Sequence, residues 1–452
     1  MLAMSPIRRL SAAPVELLAG AACALALGAA VAAGTGTALA LVGLVAALVL
    51  YVSLANRVGI VLALLLPASL AGLLVPYAVS VAVQAGLALV VIGSTAWAFA
   101  KREPTAWGAL ALLAVVGLWV LLAFHPNVPS LSVGLLGVRK TTFFLLGLAL
   151  GLVWPGRSAE GGERALIKLL LLVALATVAV HAFLPDLESS FERGASVYTE
   201  EFAGHARVSG FFSGPFHVSL LGTFLVLWAW HGYLSKAESG RVLAACLAAG
   251  LLLVDLSGVR TGYATIGLGV ALTLLLRPST RASKLRVVAL TGLLAIAVGV
   301  LLSTSLVRDP ALSSLGHLSG DSRVASRLET ISESERMIGE SPLIGWGAGS
   351  AGSTLGADFF LGRHVTSHDM ALGFLVEGGF LGLALVGVAL FVALWGSRGL
   401  LSLRHPAAAA ALSLIGFAIA GDVSEALPVS FFLMAFIGLR ARSLRLVGPA
   451  GT

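Results

Sequence analysis

Apolar residues fall in long blocks separated by short polar punctuation, and this pattern gives the first expectation. Fourteen blocks are candidates for membrane crossing: 14–33, 37–55, 58–75, 78–100, 106–124, 139–155, 165–184, 209–230, 241–257, 261–276, 287–304, 369–394, 406–421 and 426–439. A spanning helix needs roughly 17 to 25 mostly apolar residues, and most of these blocks meet that length. The pair 58–75 and 78–100 is divided only around Pro76. Nothing after the first block reads as a small-residue cleavage site with a soluble domain behind it, so no cleaved signal peptide is expected. The fold class predicted is an all-α membrane protein, a polytopic helical bundle of about 12–14 transmembrane helices with one large external loop containing short helices.

Composition supports that reading. The 452 residues are 58% hydrophobic and 11% charged, against about 25% charged in a typical soluble domain; mean hydropathy is +0.98. A soluble core cannot hide that much apolar surface, because cores stop growing as chains lengthen. A soluble enzyme, a disordered regulator and a secreted disulfide scaffold are excluded. Cys23 and Cys246 lie inside apolar blocks and read as small core hydrophobes.

The net charge of +7 would point to nucleic acid in a soluble chain; in a membrane protein it first reports orientation. Nineteen of the 29 basic residues fall on the side that holds both termini. The other ten are Arg139, Lys140, Arg193, Arg207, Arg260, Arg308, Arg323, Arg327, Arg336 and Arg363. The basic side is predicted to be cytoplasmic, with both termini there and an even number of spans. No nucleic-acid partner is expected.

Two external segments stand out, 185–208 and 305–368. The second is long enough to form a small domain, and loops of that length are usually functional or disordered. Val324, Leu328 and Ile331 have one-face helical spacing. Asp321 or Ser322 would cap that helix, and it should end near Gly339, before Ser341-Pro342. The glycine-rich stretch from Gly345 to Ser353 is not a P-loop and reads as a tight turn at the membrane surface. Four domains follow: N-terminal helices 1–206, a transmembrane core 207–304, the loop 305–368 and C-terminal helices 369–452.

Arginines on the outer side run against the orientation bias. Arg207 precedes one span, Arg260 sits in the tight corner Asp255-Leu-Ser-Gly-Val-Arg260, and Arg139 opens another span. A guanidinium at a membrane interface suits phosphate or pyrophosphate, since its planar fork of donors matches two oxygens. The plainer alternative is snorkelling, or pairing with a neighbour such as Asp255. Seven of the nine histidines lie outside or at the outer boundary, among them His217, His364 and His368. The spacing of His364 and His368 could hold a metal, but no third ligand stands at a convincing spacing. General base chemistry by His368 is the better-supported role, with a hydrogen-bonded helix cap as the alternative. Glu377 lies about 13 Å along the following span. It could orient partners, relay protons, or pair with an interior polar group. Asp422 and Glu425 mark another outer corner and read as solvated. No Asp-x-Asp or Walker motif occurs, so neither a metal-dependent sugar transferase nor ATP use is supported.

Four stretches carry a family resemblance. They are Arg207-Val-Ser-Gly-Phe-Phe-Ser-Gly-Pro215; Ser257-Gly-Val-Arg260; Ser326-Arg327-Leu-Glu with Ser341-Pro-Leu-Ile-Gly-Trp-Gly-Ala-Gly349; and His368-Asp-Met-Ala-Leu-Gly-Phe-Leu-Val-Glu377-Gly-Gly-Phe-Leu-Gly382. In this order the chain resembles the O-antigen ligase and O-antigen polymerase superfamily of bacterial polytopic membrane glycosyltransferases, with a GT-C-like architecture. The likeness spans 207–382; the N-terminal half matches in hydropathy alone. Phe216-His217 stand where the family often has Asn, and Gly258-Val259 separate Ser257 from Arg260.

The resemblance implies transfer of a glycan from a polyprenyl pyrophosphate to an acceptor hydroxyl, with inversion and without cofactor or metal. The reaction would take place at the outer face of the bacterial cytoplasmic membrane, in the synthesis of surface polysaccharide such as lipopolysaccharide. It implies catalytic roles for His368, Arg260 and Arg207, and substrate-binding roles for Arg327, Arg323, Arg139, His217 and Glu377. The partners implied are the lipid-linked oligosaccharide donor, a glycan or lipid acceptor, and membrane lipid. The alternative from another class is a polytopic transporter or flippase for lipid-linked sugars, which predicts ionisable residues and broken helices at mid-bilayer.

Overall fold

The computed structural model describes residues 65, 77–155, 159–183, 201–202, 205–212, 214–236, 239–276, 322–351, 369–397, 405 and 407–447. The candidate spans 14–33, 37–55 and 287–304, together with Cys23, His364 and His368, lie outside these residues. So does 58–75 apart from residue 65.

Eleven α-helices are described: α1 Tyr77–Ala100, α2 Ala106–Leu122, α3 Leu131–Leu152, α4 Ala159–Phe183, α5 Pro215–Ser235, α6 Gly240–Ser257, α7 Arg260–Leu276, α8 Ser322–Glu340, α9 Met370–Leu394, α10 Ala407–Ala420 and α11 Val429–Val447. A two-residue antiparallel ladder, β1 Glu201–Phe202 with β2 His205–Ala206, lies between α4 and α5. Six helices are long and apolar enough to cross a membrane, and α2 and the apolar part of α10 are shorter apolar helices. The protein is a polytopic helical membrane protein.

The chain divides after Gly93 into two units. Of the first, the described part is residue 65 and the start of α1; everything below concerns Ser94 onward.

Burial separates inner from outer helices. In α5 78% of the apolar window is buried and in α3 72%, against 28% in α4. The central pair therefore packs against protein, while the outer helices expose Leu172, Phe183, Trp107 and Phe391, as helices solvated by lipid do. Within the body α5 packs on α6, α7 and α10, α3 on α2 and α11, and α9 on α2. Small residues allow the closest of these approaches. A Cβ added to Gly151 would fall 2.3 Å from the Ala435 carbonyl oxygen, so α3 and α11 could not lie this close with any larger residue there.

Local sequence explains several helix ends. Ser130 caps α3, its hydroxyl accepting from the Val133 N–H at 3.3 Å. Pro215 opens α5, where its missing N–H has no intrahelical partner to lose. Gly258 ends α6 in the left-handed conformation, φ +59°. Helix α8 begins at Ser322, as its cap pattern predicts, and runs to Glu340. The start of α3 differs from expectation: the helix begins at Leu131, eight residues before Arg139, so Arg139 and Lys140 sit more than two turns inside it. The expected start at Arg139 treated charge as the membrane boundary; the Ser130 cap sets it instead.

Candidate functional site

The chain reverses between successive elements, so the ends of α2, α4, α6 and α10 meet the starts of α3, α5, α7, α9 and α11 at one end of the bundle. Hydrogen bonds and close contacts tie these termini together. The Ala348 N–H donates to the Leu122 carbonyl at 3.2 Å, Gly210 lies against Thr177 of α4, and Phe216 stacks edge-on to Phe417 at 5.0 Å.

Arg207 and Arg260 come to one corner of this end. The Val208 N–H donates to the Leu256 carbonyl at 3.1 Å, which lays the 207–209 segment along the end of α6. Arg207 Nη2 then donates to the Gly258 carbonyl at 3.3 Å, two residues before Arg260 opens α7. Any side chain at position 258 would meet the Arg207 guanidinium, since a Cβ there lies 3.6 Å from Nε. Both arginines are half-buried. Asp255 accepts from the Tyr263 hydroxyl at 2.9 Å across the same corner.

A second construction lies where α9 breaks. Gly379 has φ +61° and ψ −167°, a conformation that only glycine adopts readily. The break frees backbone groups on both sides, and the 341–351 turn takes them up. The Trp346 and Gly347 N–H groups donate to the Val376 and Glu377 carbonyls at 2.8 and 3.0 Å, while the Phe380 and Leu381 N–H groups donate to the Pro342 and Leu343 carbonyls at 2.8 and 3.1 Å. The Glu377 side chain completes the splice. Its carboxylate, 1% exposed, accepts from Trp119 Nε1 at 2.8 Å and from the Gly349 N–H at 3.0 Å, and the Thr141 hydroxyl also hydrogen-bonds to it. Of the roles open to Glu377, the geometry is that of pairing with interior polar groups.

The remaining predicted residues are dispersed around these two features. His217 is buried in the first turn of α5, its ring edge-on to Phe212 at 6.4 Å. Arg139 is half-buried on α3, two residues after Gly137, whose Cα faces the backbone of Ala348 and Gly349. Arg323 and Arg327 lie in the first turns of α8. Arg336, on the same helix, is engaged by Glu333 at 2.6 Å and by Glu340, and the Glu333 hydrogen bond holds its pKa above the ordinary value.

Compared with known families, the model described as O-antigen ligase matches residues 243–387. That stretch is similar to O-antigen ligases. It makes up about a third of the chain and contains Arg260, α8, the 341–351 turn and Glu377. Three of the four motifs behind the resemblance lie inside the matched residues; the Arg207 motif precedes them. No curated protein matches the chain. The match supports glycosyl transfer of the O-antigen ligase type by a membrane enzyme.

Three partners of Glu377 escaped sequence reasoning: Trp119, Thr141 and the Gly349 N–H. Trp119 lies in an uninterrupted apolar block, outside the matched residues, and nothing local marks it. Asp422, expected to be solvated, is instead a cap for the Val423–Glu425 turn, accepting from the Ser424 N–H at 2.8 Å. It is also not remote from Glu377, since the two carboxylates interact electrostatically.

At the opposite end of the bundle, arginines bind helix ends. Arg442 donates to the Trp154 carbonyl at the end of α3 and reaches Glu103 at 3.4 Å. Arg445 donates to the Ala393 and Val392 carbonyls at 2.7 and 3.2 Å, the last turn of α9. Helix C-termini leave carbonyls without intrahelical donors, and these two guanidiniums fill that need. His405 lies 4.0 Å from Glu163, yet burial, followed by the Arg440 charge, lowers its pKa to about 4. It is neutral at pH 7, so this contact is not an ion pair there.

Proposed function

We propose that this protein is an inverting, metal-independent glycosyltransferase that moves a glycan from a polyprenyl pyrophosphate to an acceptor hydroxyl at the outer face of the cytoplasmic membrane. The acceptor oxygen attacks the anomeric carbon as the bond to pyrophosphate breaks, and the configuration inverts. Arg207 and Arg260 bind the pyrophosphate and stabilise the charge that grows on it as it leaves. His368 takes the proton from the attacking hydroxyl. Arg327 and Arg323 approach glycan or phosphate from α8, and Arg139 and His217 line the approach from α3 and α5.

The observation that carries this reading is the corner where Arg207 meets the Gly258 carbonyl beside Arg260. A helix N-terminus attracts anions through its unpaired N–H groups and dipole. Arg260 stands at the N-terminus of α7, so two guanidiniums and a helix dipole reinforce one another. That Gly258 and Arg260 lie inside the stretch similar to O-antigen ligases supports pyrophosphate as the anion.

The test is transfer by purified protein in lipid nanodiscs, given a polyprenyl-pyrophosphate oligosaccharide alone. Arg207→Ala, Arg260→Ala and His368→Ala each abolish transfer while leaving the unfolding temperature unchanged, and EDTA has no effect. Normal product from all three variants overturns the assignment; strict dependence on added Mg²⁺ or Mn²⁺ overturns the metal-free mechanism. A ladder of lengthening products identifies a polymerase, and reaction only on addition of a second acceptor identifies a ligase.

A further inference from the structure

We propose that Glu377 is a positioning residue: it fastens the 345–349 turn to α2 and α3, and so sets the direction in which α8 carries Arg323 and Arg327. The proposal rests on the transfer reading above and assigns Glu377 a task within it.

Four segments converge on this side chain. Trp119 comes from α2, Thr141 from α3, Gly349 from the turn, and Glu377 itself from α9. A carboxylate buried this deeply is costly unless every acceptor site is matched. Here a backbone N–H, an indole N–H and a hydroxyl meet the two oxygens. The arrangement therefore tolerates little displacement of the turn, because moving Gly349 away leaves a buried carboxyl oxygen short of a donor.

The turn is in turn fixed to α8. The Trp346 indole donates to the Met337 carbonyl at 2.8 Å, the Ser341 hydroxyl donates to the Gly345 carbonyl at 2.7 Å, and Met337 is buried with Val376 and Ala351. The C-terminal turn of α8 is thus held by the turn and by α9, at one end of a helix 19 residues long. Roughly 1.5 Å of rise per residue separates Arg327 from Met337 by about 15 Å. A small rotation at the fastened end becomes a displacement of several ångströms at the arginines.

The start of α9 is held differently. Asp369 caps it through the Leu372 N–H at 3.0 Å, and Phe374 packs on Trp119 with centroids 5.4 Å apart. These contacts fix the first turns of α9 without the carboxylate. Loosening Glu377 should therefore weaken binding of the donor more than it slows the chemical step. Gln is the informative replacement: its single carbonyl oxygen cannot serve both Trp119 and Gly349, and its amide would face a donor.

The experiment uses the full chain in nanodiscs, with Cys23→Ser and Cys246→Ala, and spin labels on Glu335→Cys of α8 and Val388→Cys of α9. Pulsed electron–electron resonance reads the separation without any transfer reaction, so a failure of the glycosyltransferase reading leaves this readout intact. The expected result is one narrow distance distribution in the parent and a broadened or shifted one in Glu377→Gln. In the transfer assay Glu377→Gln raises KM for the polyprenyl-pyrophosphate oligosaccharide about tenfold and leaves kcat within about threefold. Trp119→Phe, which removes one donor and keeps the charge, gives a smaller change of the same kind and serves if Glu377→Gln does not fold. An unchanged distance distribution, or a loss confined to kcat, overturns the proposal.

Discussion

Trp119 and Glu377, 258 residues apart in sequence, meet at 2.8 Å in the buried centre of the site end, indole N–H to carboxylate. The pair joins α2 to α9 at the residue where the 341–351 turn also docks. Leaving a buried acceptor without its donor costs about 1–3 kcal/mol. Trp119→Phe is therefore expected to lower stability by about that amount, measured by thermal unfolding in detergent. An unchanged transition would show that the carboxylate finds another donor.

Gly379 is the position where the helix cannot be continued by another residue. A Cβ there would stand 2.4 Å from the Leu343 carbonyl carbon and oxygen, and the φ of +61° is strained for any side chain. Backbone strain of this kind costs about 1–3 kcal/mol before the clash is added. Gly379→Ala is expected to lower the unfolding temperature and to expose the 341–351 turn to protease, whereas Gly387→Ala, whose added Cβ would meet open space, changes neither.

Ten of the fourteen blocks read from hydropathy correspond to described helices, and the rest lie outside the described residues, because long apolar runs in lipid leave the backbone no alternative to helix. Helix α8 was legible for a different reason: a capping residue, one-face spacing and Ser341-Pro342 bracket it. The break at Gly379 was not legible, since Gly378-Gly379 in an apolar run has the composition of a small-residue packing site. Nor were the partners of Glu377, which depend on contacts between residues far apart in the chain. Arg207 and Arg260 could be singled out by their place against the charge bias, but their shared corner depends on the Val208–Leu256 hydrogen bond, which no sequence spacing encodes.

His405 gives the fold an acid limit. Its pKa is lowered from 6.5 to about 4, chiefly by burial, so between these values the unfolded chain binds more protons than the folded one. Stability is then fully present above about pH 6.5 and declines as pH falls toward 4. As pH goes from 7.5 to 4.5, the unfolding temperature of the parent should fall relative to that of His405→Asn. An identical pH dependence in the variant would remove His405 from the account.

Arg445 joins the end of α11 to the last turn of α9 through carbonyls that have no donor of their own in the helix. Arg445→Ala is expected to destabilise by about 1–3 kcal/mol, while KM for the lipid-linked donor stays as it is, because the substitution lies at the end of the bundle away from Arg207 and Arg260. A change in KM with no loss of stability would contradict that division between the two ends.

The central claim is that the Arg207–Arg260 corner binds the departing pyrophosphate. The most direct measurement is release of polyprenyl pyrophosphate from a defined lipid-linked oligosaccharide by purified protein, comparing the parent with Arg207→Lys, Arg260→Lys and the two alanine variants. Lysine keeps the charge but loses the planar fork of donors, so the account predicts severe loss in all four, with lysine restoring no more than a small part. Release at the parental rate from the alanine variants would contradict it.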